Sequence, residues 1–124
     1  MVYIIKVKTY ENGSYVVKIG ESRIGITGRY NEHKSKYEEC VLLDCFCVNK
    51  SKDFEHFLHC HNTIKPNIVK NLPNHDSENE LFLIGGNLTY KILLKIVNDN
   101  IDNYNYKVNE LLLEIENLKF KNQI

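Results

Sequence analysis

The chain reads as an α+β domain with a small mixed sheet of three strands, or four if a late strand joins one edge. An N-terminal β-hairpin opens it, helices flank it, and further helices follow at the C-terminal end. Three features predict this class. Two period-2 segments lie either side of Asn12-Gly13, an apolar run of strand length spans 40–48, and amphipathic helical segments stand between and after them.

Taken in order, Val2 to Thr9 places Tyr3, Ile5 and Val7 on one face and Val2, Ile4 and Lys6 on the other. Asn12-Gly13 supplies a hairpin turn, because both residue types tolerate positive φ. Ser14 to Gly20 returns, with Val16, Lys18 and Gly20 sharing a face. Gly25 and Gly28 indicate a loop before a helix over about 28–38. The run "CVLLDCFCV" is apolar almost throughout, which predicts a central strand. Ser51 stands where an N-cap belongs for "KDFEHFLHCHNTI", with Asp53 in the first turn and Phe54, Phe57, Leu58 and His61 along one stripe.

Pro66 and Pro73 bracket a loop, "ELFLI" reads as a short strand, and Gly85-Gly86 ends it. "NLTYKILLKIVND" is an amphipathic helix. From Tyr104 the apolar residues Val108, Leu111, Ile115 and Leu118 follow at heptad spacing. Such a seam is too short to stand alone. It could form a homodimer through the C-terminal helix, pack back on the domain, or begin a longer coil. The division expected is a domain over 1–86 and a helical extension over 87–124.

At 124 residues with 43% hydrophobic composition, one soluble domain is expected. No apolar run approaches a bilayer span and no leader pattern opens the chain, so an intracellular protein of cytoplasm or nucleus is expected, neither secreted nor membrane-bound. Cys40, Cys45, Cys47 and Cys60 lie in apolar-patterned segments and read as reduced, small hydrophobes. The formal net charge is zero, which argues against a strong unaided grip on nucleic acid. Charge is nevertheless uneven. Residues 1–37 carry Lys6, Lys8, Lys18, Arg23, Arg29, Lys34 and Lys36 against only Glu11, Glu21 and Glu32.

Ordered along the chain, these parts are a strand with Tyr3, a hairpin, a strand ending Ile19-Gly20, a helix with Arg29, a strand, and a helix with Glu55. Over about 2–83 this resembles the GIY-YIG nuclease superfamily, in its phage- and virus-borne branch with a "KIG" second motif. Val2-Tyr3-Ile4 stands for the first motif, with Val in place of Gly. Lys18-Ile19-Gly20 stands for the second, with Lys in place of Tyr. Arg29 and His33, at i and i+4 in "RYNEH", share a helix face. Glu55 in "DFEHFLH" matches the family's acidic helix residue, Asn67 in "IKPN" a late Asn, and "ENELF" the closing acidic-aromatic strand.

The resemblance implies phosphodiester cleavage in DNA, with Tyr3, Lys18, Arg29, His33 and Glu55 catalytic. Glu55 would hold one Mg²⁺ or Mn²⁺, and Arg29 would take the phosphate with its planar fork. Tyr3 would serve as a base, a task for which an ordinary phenol pKa near 10 is too high. Lys18 across the hairpin is the candidate to lower it. His33 would assist as an acid or phosphate contact. Gly20, Arg23, Lys34 and Asn67 are the candidate substrate contacts, Gly20 because it lets backbone or substrate approach closely.

Two other readings stay open. The same fold could act as a non-catalytic nucleic-acid-binding or dimerising module. Alternatively Cys45 and Cys47, with His56, His59, Cys60 and His61, supply soft zinc ligands, though not in paired C-x₂-C spacing. A Cys-His nucleophile is disfavoured, since no segment resembles the turn or helix N-terminus that lowers a thiol pKa.

Overall fold

Alternation along the first 21 residues builds the centre of the sheet. In the computed structural model, which describes residues 1–23 and 25–105, strands β1 (Val2–Thr9) and β2 (Tyr15–Glu21) pair antiparallel. Between them Gly13 adopts φ 89° and donates its N–H to the Tyr10 carbonyl, while the Asn12 side chain accepts from the Ser14 N–H. Only Gly13 needs the left-handed conformation.

Helix α1 spans Thr27–Lys36, strand β3 Val41–Phe46 and helix α2 Ser51–Cys60. A 3-10 turn at Lys65–Asn67 precedes β4 (Leu81–Ile84), and helix α3 (Tyr90–Asn100) runs into a second 3-10 turn at Ile101–Tyr104. The four strands lie in the order β3-β1-β2-β4. The late "ELFLI" strand does join at an edge. All three pairings are antiparallel, so the sheet is not mixed as expected.

The apolar run of 40–48 is a second correction. β3 is an edge strand, with Val41 43% and Leu42 39% exposed. A continuous apolar segment fits a doubly covered strand, but it fits equally well one that buries only a few side chains. Here Leu43, Phe46 and, past the strand's end, Val48 pack on the core, Asp44 is half-buried and accepts from Tyr90, and Val41, Leu42 and Cys45 are exposed. All four cysteines are free thiols; Cys40 is half-buried against the second core cluster, whereas Cys45, Cys47 and Cys60 are exposed and do not serve as core hydrophobes.

Each face of the sheet buries its own cluster. On one, Val2, Ile4, Val17, Ile19 and Phe82 pack with Phe54 and Leu58 of α2 and Leu93, Ile96 and Val97 of α3. The core therefore continues past residue 86 into α3, whose Thr89 side chain caps the Ile92 N–H. Ser51 caps nothing. It occupies the first turn of α2, and its hydroxyl donates to Glu21 instead. On the other face Tyr3, Ile5, Val7, Val16 and Leu81 meet Tyr37, Val69 and Leu72. Among the described residues no helix is long and apolar enough to cross a membrane. Tyr104 packs on Phe54 and Phe57. The remaining seam positions, Val108, Leu111, Ile115 and Leu118, lie outside the described residues.

Candidate functional site

Hairpin register sets Tyr3 opposite Gly20 and Ile5 opposite Lys18, so Tyr3, Lys18 and Gly20 share the second face. The phenol lies directly over Gly20. A Cβ there would stand 2.5 Å from both Cζ and Oη of Tyr3, so the ring's placement requires glycine. Above it, His33 comes down from α1 with Nε2 2.9 Å from Tyr3 Oη, and both residues are buried. The Arg29/His33 spacing thus does bring one of its members onto Tyr3.

Burial sets the electrostatics. It pushes the Tyr3 phenol above its usual range, helped by the carboxylates of Glu80, Glu55 and Glu21 and opposed by Arg29. This reverses the expected activation, because Lys18 is engaged elsewhere. Its ammonium is 3.0 Å from Glu80 and 3.6 Å from Glu78, and it donates to Tyr37 Oη at 3.3 Å. Tyr37 in turn donates to Glu78, which also meets His75 Nδ1 at 2.8 Å. His75 stacks on the Tyr37 ring. His33 is held neutral chiefly by burial, with Lys18 and Lys36 adding to the effect.

The two faces meet where β4 runs out. β4 pairs with Tyr15 to Lys18 only, so the next stretch of β2 is left at an edge. Glu80, immediately before β4, accepts the Ile19 N–H through its backbone, and this carries its side chain to Lys18. From the other face α2 contributes Glu55 and His59. His59 Nε2 lies 2.8 Å from the Ile19 carbonyl that β4 leaves free. Burial, then Glu80 and Glu21, raise the Glu55 pKa to about 7, and a hydrogen bond between the Glu55 and Glu80 side chains adds to the shift. His59 is 3.9 Å from Glu55 but is kept neutral mainly by burial, so that contact is not an ion pair near neutral pH.

Tyr3, Lys18, Gly20, His33 and Glu55 therefore surround the free end of β2. Arg29 is exposed, pairs with Glu32 at 3.5 Å, and borders an open cleft of about 540 Å³ with Glu21, Arg23 and Gly28. That cleft does not include Tyr3 or Glu55, although the Arg29 charge acts on Tyr3. Arg23 also lines the groove at the start of α2 with Lys50 and Lys52. Lys34 is apart from these residues, with its ammonium over the Tyr30 ring. Asn67 is not brought in either. Its side chain donates to the Thr63 carbonyl, and it lines a cleft with Tyr10, Glu11 and Asn12 at the hairpin turn.

Glu80, Glu78 and Tyr37 carry no signal of a site in the sequence, and His59 enters there only as a candidate zinc ligand. "ENELF" marks a strand by its sequence, and only the β2–β4 register shows that its second Glu reaches Lys18. Around Glu55 the donor atoms include the carboxylate oxygens of Glu80, the type that hard divalent cations take, and the His59 imidazole. Among the described residues no group of three or more His, Cys, Asp or Glu is placed to hold a metal ion. A separate cleft of about 720 Å³ lies along α2, with His56, Phe57, Cys60, His61 and Tyr104. Cys60 and His56 come within 3.7 Å of each other there.

No curated protein and no solved structure matches the chain. Residues 1–101, the hairpin, sheet and all three helices, match one domain family, and on that match the protein belongs to the T5orf172 domain family.

Proposed function

We propose that this protein is a divalent-metal-dependent endonuclease of GIY-YIG type, hydrolysing DNA phosphodiester bonds with Tyr3, Arg29 and Glu55. The observation that carries the reading is the phenol–imidazole pair of Tyr3 and His33, closed over Gly20 and flanked by Lys18 and Glu55. Residues so distant in sequence have no packing reason to gather buried polar groups at one strand end. Membership in the T5orf172 family, a phage-associated domain in a nuclease-related context, supports the same reading.

Glu55, with Glu80 against it, would hold one Mg²⁺ or Mn²⁺. When bound, such an ion supplies charge neutralisation at phosphate and a more acidic water. The chain's own groups do the rest. Arg29 and Arg23, on the open cleft, take phosphate oxygens. Lys18 is fixed by Glu80 and Glu78 and holds positive charge beside His33 and Glu55. His33 fixes the Tyr3 hydroxyl. DNA is the partner, and a second copy docking through residues 104–118 is the proposed assembly.

The enclosure of Tyr3 and the Arg29–Glu32 pairing favour a second reading, a non-catalytic nucleic-acid-binding module. Supercoiled plasmid separates the two. With Mg²⁺, wild type is expected to nick, and Glu55→Ala and Arg29→Ala to lose about a hundredfold or more. A gel shift without nicking in Mg²⁺ or Mn²⁺ selects the binding module.

A further inference from the structure

His33 Nδ1 is buried and has no hydrogen-bond partner, the sole buried side-chain nitrogen or oxygen among the described residues in that position. Its other nitrogen, Nε2, is 2.9 Å from Tyr3 Oη. A neutral imidazole carries one proton, and heavy atoms alone do not say where. If the proton were on Nδ1, a buried N–H would be orphaned, a condition rarer in proteins than an under-used acceptor.

We infer that His33 is the Nε2–H tautomer and donates to Tyr3 Oη, so that the phenol keeps its own proton and serves as a neutral hydrogen-bond donor to a phosphate oxygen, not as a base. Tyr3 Oη accepts from His33 on one side, so its O–H is directed elsewhere. The charged groups acting on the phenol are Glu80, Glu55 and Glu21, against Arg29. Arg29, whose charge acts on the phenol, would bring the phosphate oxygen that receives the hydrogen bond. No bond to hydrogen breaks. Tyr3 stabilises charge on phosphate, as an oxyanion-hole donor does. The catalytic role rests on the nuclease reading, but the direction of the His33–Tyr3 hydrogen bond does not.

Two measurements test it. In ¹⁵N-labelled full-length protein, long-range ¹H–¹⁵N spectra, with His33 assigned through a His33→Gln variant, should show the Nε2–H pattern. An Nδ1–H pattern overturns the inference. Difluorotyrosine placed at position 3 keeps the ring's shape while lowering the phenol pKa. Nicking by that protein should fall about tenfold per pH unit above the lowered pKa, over a range where wild type stays level. A rise with pH over the same range is the behaviour of a base and overturns the inference. If wild type nicks nothing, the nuclease reading fails, while the imidazole spectrum still decides the hydrogen bond's direction.

Discussion

The two faces of one sheet are built from the same strands and could hardly differ more in chemistry. Toward α2 and α3, Val2, Ile4, Val17, Ile19, Phe54, Leu58 and Phe82 form an apolar core. Toward α1, alternate residues of the same strands place Tyr3 and Lys18 among Ile5, Val7 and Val16, and His33 and Tyr37 close over them. Burying polar and charged groups costs free energy unless they are paired. Lys18 and Tyr37 are paired with carboxylates and Tyr3 with His33, while His33 keeps one nitrogen unused. The first face holds the domain together. The second carries a polar network that stability alone does not call for.

Breaking the apolar face should have the largest effect. Phe54→Ala removes a fully buried ring that packs on Phe57 and Tyr104, and should cost about 3–5 kcal/mol in urea unfolding. Gly20→Ala attacks the polar face through geometry. Its methyl group collides with Tyr3, so about 1–3 kcal/mol should be lost. The Tyr3–His33 contact should be lost with it, visible as a shifted His33 imidazole signal.

Glu55 sharpens the contrast through pH. Its folded pKa of about 7 lies above the ordinary 4.5, so the native state binds the extra proton between those values. Its contribution is therefore fully present below pH 4.5 and is lost as pH rises through 7. Glu55→Gln should be neutral near the acid end and more stable than wild type above the upper value, by on the order of 1–2 kcal/mol in metal-free buffer. A variant equally stable at both ends would contradict the burial of that carboxyl. Smallest of all, Leu42→Thr on the exposed edge of β3 should change stability by no more than about 0.5 kcal/mol.

Much of the fold was legible because alternation and turn chemistry are local. Asn12-Gly13 marked the hairpin, and "ELFLI" marked β4. The error at β3 has a clear origin, since apolar content reports burial potential and not position in a sheet. Cys45 and Leu42 show it, both apolar and both facing outward. For the site, Tyr3, Gly20 and His33 were readable because strand register and helix spacing bring them together over short connections. Glu80 was not, because its place depends on where β4 stops along β2. Nor did Asn67 fit, since nothing in "IKPN" says which end of the sheet its turn will reach. The Lys18–Glu78–Tyr37–His75 chain lay beyond pattern reading for the same reason, being assembled by a loop.

The central claim is that Tyr3 from one face and Glu55 from the other act as one site around the end of β4. A double-mutant cycle on plasmid nicking in Mg²⁺, with Tyr3→Phe, Glu55→Gln and the pair, tests it most directly. Residues acting as a unit give a double variant about as slow as the slower single one. Losses that multiply in full, or a wild-type rate that neither substitution lowers, would contradict it.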